Sequence, residues 1–176
     1  MGFTWPGYAP RGYASCDALI AAEADALEPL LGMRICNAYC AWDIGAERWC
    51  GCAPVVLELD TSQLEIGFGE NSRLALSIDA IDLSRAAGMR AGEASSIRER
   101  YEWRTDRREL VPHIGSFMLG IDLLVRRGAE EALAGCCIRT DRGGLDIVNT
   151  GAERAVHVSF CAAGELGDDY KRMMGV

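Results

Sequence analysis

The sequence predicts an α+β fold: two helix-plus-antiparallel-sheet units, related by a pseudo-twofold, forming one compact β-rich domain. Three observations predict it: apolar residues that alternate with period two in several segments, a helical apolar face near the N-terminus, and ordered matches about eighty residues apart. The 176 residues, 49% of them hydrophobic, suit a single domain with a substantial core. A mean hydropathy of +0.03 with 25% charged residues argues against wholesale disorder.

Residues 1–14 read as an arm in which Phe3, Trp5, Tyr8 and Tyr13 sit among glycines and prolines. The first α+β unit spans 15–84. Leu19, Ile20, Glu23, Leu27 and Leu30 fall near one helical face, Ser15 or Asp17 is suited to cap it, and Pro29 ends the regular helix. In the strands that follow, Val55, Leu57 and Leu59 alternate with Val56, Glu58 and Asp60. Leu64, Ile66 and Phe68 alternate with Glu65 and Gly67, and Leu74, Leu76 and Ile78 with Ala75, Ser77 and Asp79. Alternation implies one buried and one wet face, which favours antiparallel sheet.

The second unit spans 85–176 and begins with a connection. Ser96-Ile-Arg-Glu99 has the capping-box pattern, which predicts a helix from Ile97 to Leu110. Phe117, Leu119, Ile121, Leu123 and Val125 give the next apolar stripe. The internal matches tie the two units together. Leu27-Glu-Pro29-Leu-Leu31-Gly32 recurs as Leu110-Val-Pro112-His-Ile114-Gly115. Leu57 to Asp60 and Leu64 to Ile66 answer to Ile138 to Asp141 and Leu145 to Ile147, and Leu74 to Ser77 to Val156 to Ser159. The sheets are expected either face to face or joined into one.

Between the first two alternating segments, a tight turn centred on Thr61 and Ser62 sets Leu59 against Leu64 and Glu58 against Glu65. Like charges facing each other across strands are destabilising. The corresponding pair in the second unit, Arg139 and Asp146, is attractive.

Charge is unevenly placed. The 26 acidic residues exceed the 18 basic ones (17 arginines and Lys171) for a net −8, and residues 43–82 hold eight acids against two arginines. Such a chain repels phosphate backbones, so no nucleic-acid partner is expected. No apolar run is long enough to span a bilayer and no export signal begins the chain, so a cytoplasmic protein without a membrane partner is expected. Thiols are therefore expected reduced. Cys36, Cys40, Cys50 and Cys52 are zinc candidates, but their spacing is not that of paired knuckles, and buried apolar thiols are the simpler reading.

Catalytic motifs are missing. His113 and His157 neighbour no nucleophile signature, and the glycines of Gly67-Phe-Gly69 and Gly143-Gly144 lack the spacing of a phosphate cradle, so no cofactor is expected. In size, charge and lack of motifs the chain resembles immunity proteins that plug basic toxin effectors. The expected function is thus a non-enzymatic acidic domain that occludes a basic protein partner through Glu58, Asp60, Glu65, Asp43 and Glu47, with Trp42 and Trp49 as anchors. Two other readings stand beside it: a small enzyme using Glu58 and Glu65 as a paired carboxylate, and a structural protein that forms a homodimer through its aromatic arm.

Overall fold

The computed structural model describes residues 3–4, 8–69, 72–84, 89–90, 101–128, 132–150, 158–162, 169–173 and 175. Among the described residues the fold is β-rich α+β, with one α-helix and mostly antiparallel sheet. Helix α1 (Cys16–Leu27) starts where expected: Ser15 is its N-cap, and the Ser15 hydroxyl accepts the Ala18 N–H at 3.3 Å. It buries Leu19 and Leu27, then tightens into a 3₁₀ turn at Glu28–Leu30, where Pro29 removes a donor that the turn does not need.

Strands β2 (Ile35–Asp43), β3 (Arg48–Trp49), β4 (Val55–Leu59), β5 (Gln63–Phe68) and β6 (Leu74–Ile78) form one sheet in the order β3-β2-β4-β5-β6. Strand β8 (Tyr101–Arg104) also pairs with β2. A second sheet has the order β12-β11-β10-β9-β13, from β9 (Met118–Arg126), β10 (Ala132–Thr140), β11 (Gly143–Asn149), β12 (Val158–Ala162) and β13 (Tyr170–Met173). Short strands β1 (Phe3–Thr4) and β7 (Met89–Arg90) pair as a separate ribbon. Among the described residues no helix is long and apolar enough to cross a membrane.

One main core lies between the two sheets. It joins Leu19, Leu27, Leu57, Leu64 and Ile66 from the first half to Met118, Ile121, Ile138, Leu145 and Ile147 from the second. Much of the expected wet face is covered. On β4 and β5 Val56 and Glu65 are as buried as Leu57 and Leu64, because Ala41, Ala53, Tyr101 and Tyr8 form a second cluster on the outer face. Leu124, Cys137, Val148 and Tyr170 do the same for the second sheet.

Three further expectations need correction. The segment Tyr101–Arg104 is strand, not helix, and Arg107 to Leu110 is a turn; residues 97–100 lie outside the described ones. Tyr101 and Trp103 alternate with Glu102 and Arg104, and pairing with β2 outweighs the local capping signal. At the start of β9, Phe117, just before the strand, and Leu119 are 46% and 51% exposed while Met118 is buried, because a bulge opposite Arg139 and Thr140 switches the phase of the strand. Finally, the hairpin register differs by two residues: Leu57 faces Leu64, Val56 faces Glu65 and Glu58 faces Gln63. In the second unit Arg139 faces Gly144 and Asp146 faces Cys137, so the expected Arg139–Asp146 pair does not form either.

The two halves meet through a ring of backbone bonds. Gly32 N–H donates to Met118 C=O at 2.7 Å and Gly115 N–H to Ile35 C=O at 2.7 Å; Ile35 N–H donates to Ser116 C=O at 2.8 Å and Met118 N–H to Met33 C=O at 2.9 Å. At the centre Arg34 bridges to Phe117. Gly32 and Gly115 each follow a Pro-containing 3₁₀ turn and each have φ +83°, a left-handed conformation that strains any side chain. Gly32→Ala and Gly115→Ala are therefore each expected to cost about 1–2 kcal/mol, and by similar amounts. Chemical denaturation of both variants checks this; a cost at one site only would show that the two turns carry different strain.

Candidate functional site

The candidate site residues divide between the two ends and two faces of the first sheet. Along β2, Asn37, Tyr39, Ala41 and Asp43 lie on one face and Ala38, Cys40 and Trp42 on the other. Glu58 shares the face of Asn37: its Oε2 accepts Asn37 Nδ2 at 2.6 Å and the Tyr39 hydroxyl at 3.0 Å. Asp60 is exposed in the β4–β5 turn, where its carboxylate accepts the Arg34 N–H at 2.8 Å and lies 3.4 Å from the Arg34 guanidinium. That backbone bond, with the Arg34 charge, holds its carboxyl below the usual range. The turn falls on Asp60 and Thr61, since Leu59 N–H bonds Ser62 C=O at 2.8 Å.

Glu65 leaves the expected acidic surface, because it is completely buried. Its Oε2 accepts the Ser77 hydroxyl at 2.8 Å, and its Oε1 accepts the N–H groups of Ala80 at 2.9 Å and Ile81 at 3.2 Å. Burial raises its pKa against these three donors. Both oxygens are committed to these donors, and Glu58 faces Gln63, not Glu65, with its own Oε2 bonded to Asn37 and Tyr39. The carboxylate folds the segment after β6 back over β5. Gln63 completes that fold: its N–H donates to Asp79 Oδ1 at 2.7 Å and its Nε2 to Ile81 C=O at 3.1 Å. In consequence Asp79, whose carboxylate accepts the Gln63 N–H, and half-buried Glu58, opposite Gln63 in the register, lie at one end of the sheet, with exposed Asp60 in the adjoining turn and exposed Asp82 directly after Ile81.

Asp43, Glu47, Trp42 and Trp49 are at the other end. About 20 Å of strand separates Asn37, beside Glu58, from Asp43. Asp43 is buried, not part of an exposed face, and its Oδ1 accepts the Ala46 N–H at 2.9 Å to close the β2–β3 turn. Glu47 is exposed in that turn. Trp42 and Trp49 face each other across the strands, edge to face with centroids 5.1 Å apart. Arg104 stacks on Trp42 at 4.5 Å, and Arg107 lies over both Trp49, at 5.3 Å, and Phe160, at 4.5 Å. The tryptophans thus engage arginines of their own chain.

The four zinc candidates are not brought together. Cys40 is buried in the main core, where burial pushes its thiol up to about 12. Cys36 lies near Asp60, at 3.7 Å, while Cys50 and Cys52 sit beyond β3 with their sulfurs 3.2 Å apart. Among the described residues no group of three or more His, Cys, Asp or Glu side chains could hold a metal. His113 is half-buried, 3.5 Å from the Thr140 hydroxyl, and burial lowers its pKa; His157 lies outside the described residues. Of the arm, Tyr13 is buried in the main core with its hydroxyl bonded to Glu23, and Tyr8 packs on the outer cluster. Trp5 and the side chain of Phe3 lie outside the described residues.

Pattern reading missed the outer face of the second sheet. Asp122, Cys137 and Asp146 pair in a row across β9, β10 and β11. Asp146 is completely buried, with Arg172 Nη2 at 2.8 and 3.1 Å from its two oxygens; Arg139 Nε lies 3.1 Å from Asp122. The single signal in the sequence was an acid at an apolar strand's outward phase, which also describes a solvated sheet. No family model matches the chain, and no curated protein or solved structure gives a significant match.

Proposed function

We propose that this chain is an acidic, non-enzymatic protein-binding domain that occludes a basic partner in the manner of an immunity-type inhibitor. The observation that carries the reading is that Glu58 and Asp60 at the end of β4 and Asp79 and Asp82 after β6, the last two on a segment tied to Gln63, all belong to one end of the first sheet, on a chain of net charge −8. Complementary charge of this kind steers encounter and fixes orientation. Glu65 acts behind this surface as the buried anchor of the 79–82 segment, and Trp42 and Trp49 belong to the opposite end. The test is capture from a lysate of the source organism on immobilised wild type and on Glu58→Lys/Asp82→Lys, with circular dichroism confirming that both are folded. Wild type is expected to retain a basic protein that salt releases, and the variant about tenfold less of it. Equal retention, or no basic protein on wild type, would overturn the reading.

The same reading takes the chain as two copies of one unit, consistent with the ring of bonds between the halves. Shifting each residue number by 83 turns the Gly32–Met118 bond into Gly115–Ile35, reversed, and Arg34 into its bridge partner Phe117. Residues opposite their own equivalents are what a two-fold axis produces. The bulges also correspond: Ile35/Asn37 against Leu59/Glu58, and Met118/Gly120 against Thr140/Arg139.

A further inference from the structure

We propose that Cys50 and Cys52 form a redox-active dithiol that exchanges with disulfides, with Cys50 as the attacking sulfur and Cys52 as the resolving one. Their sulfurs are 3.2 Å apart across the single residue Gly51, close enough for one thiol to hydrogen-bond the other as thiolate. The site is held from a strand: Cys50 N–H donates to Ala41 C=O of β2 at 2.9 Å, and Ala53 N–H returns to Cys50 C=O at 3.2 Å, turning the chain so that both side chains point the same way. Both cysteines are half-buried, so the pair has access to solvent.

The sulfurs are unlike the buried thiols Cys40, in the main core, and Cys137, on the second sheet. Cys40 and Cys137 are pushed up to about 12 by burial, which makes them inert. The hydrogen bond from Cys52 pulls Cys50 below its ordinary value and raises Cys52 in turn, although burial and the charge of Asp43 both act against the Cys50 thiolate. The surroundings suit an apolar flank of a substrate. Ala41, Ala53 and Tyr101 form the cluster on which Cys50 packs, with Tyr8 and Trp103 beside it. Tyr8 and Tyr101 are its titratable members; burial raises the Tyr8 pKa, so that tyrosine stays neutral across the thiol range.

The substrate class is a small or peptide-borne disulfide. The Cys50 thiolate attacks one of its sulfurs, a Cys50–substrate S–S bond forms, the substrate S–S bond breaks, and its electron pair leaves on the second sulfur, which takes a proton from solvent. Cys52 then releases its proton to solvent and its thiolate attacks Cys50 Sγ. The Cys50–Cys52 disulfide forms, and the first substrate sulfur leaves as a thiolate and is protonated. Two protein thiols are oxidised and one disulfide is reduced to two thiols. This chemistry lies at the far end of β2 from Asp60, so Glu58→Lys/Asp82→Lys leaves it unchanged whether or not that variant loses partner binding.

Treating the full chain with glutathione disulfide, quenching in acid, alkylating and mapping peptides by mass spectrometry tests the proposal. The peptide carrying residues 50 and 52 is expected to lose two hydrogens and resist alkylation until reduced. Under reducing conditions at pH 7, iodoacetamide is expected to label Cys50 roughly fivefold faster than Cys36, the gain in thiolate being partly offset by lower nucleophilicity. Cys52→Ser is expected to trap Cys50 as the mixed disulfide with glutathione and to slow its alkylation. A wild-type peptide alkylated at both sulfurs after oxidising treatment, or Cys50 labelling no faster than Cys36, would overturn the proposal without reference to any variant.

Discussion

Arg172→Met is expected to destabilise the protein by about 3 kcal/mol, one of the two largest effects the structure implies outside the main core. Asp146 has no exposed surface, and both its oxygens face the Arg172 guanidinium at 2.8 and 3.1 Å. Breaking a buried pair from one side costs about 3–5 kcal/mol, because the remaining charge stays where water cannot reach it. The side chain of Arg172 is 35% exposed, which partly solvates that end and places the estimate at the lower limit. Cys137, opposite Asp146 in the register, feels the same carboxylate: after burial, the bond to Asp146 is the next cause of its raised pKa. Replacing both members with apolar residues, Asp146→Leu/Arg172→Met, is expected to recover more than half of the loss. Urea denaturation of the three proteins checks this. A loss under about 1 kcal/mol for Arg172→Met would show that Asp146 is solvated in the folded state.

Glu65→Ala is expected to cost about 3 kcal/mol, and Glu65→Gln much less. Alanine leaves the buried Ile81 N–H and the part-buried Ala80 N–H and Ser77 hydroxyl without their acceptor, at about 1–3 kcal/mol for each group left unsatisfied away from water. Glutamine keeps an oxygen for both N–H groups and offers its amide to Ser77. The pH dependence separates the charge from the hydrogen bonds. Burial raises the folded-state pKa of Glu65 above its unfolded value. The folded state therefore favours the protonated form. The resulting stabilisation is fully present below the unfolded pKa and is lost as pH rises through the folded one. Wild type is thus expected to gain stability relative to Glu65→Gln as pH falls through the folded pKa. Thermal melts of both from neutral to mildly acidic pH measure the gap; a gap moving the opposite way would mean that the three donors outweigh burial.

How much of this was legible depends on whether local chemistry or distant packing decided it. Helix α1, the Pro-containing turns and strands β4, β5 and β6 follow from Ser15, Pro29, Pro112 and the alternating apolar residues, all local signals. The hairpin register was misplaced by two because Asp60 and Asp141 draw the turns onto themselves by accepting the Arg34 and Phe117 N–H groups, at 2.8 and 2.9 Å. A shift of two keeps every side chain on its face, so the core residues were right while the cross-strand charge pairs were not. Glu65 and Asp146 read as wet because nothing near them in sequence announces what covers them. Their partners, Ser77 and Ala80 for one and Arg172 for the other, are 12 to 26 positions away. The same distance effect turned Tyr101 to Arg104 from an expected helix into the strand that borders β2.

The claim that matters most for function is that a basic partner docks on the carboxylate end of the first sheet. Amide hydrogen exchange of the chain alone and in complex with the captured basic protein tests it most directly. Slowed exchange at residues 58–65 and 79–84, with the β2–β3 turn at 44–47 unchanged, is the predicted result. Protection at 44–47 or on the second sheet, with 58–65 and 79–84 exchanging as in the free chain, would contradict it.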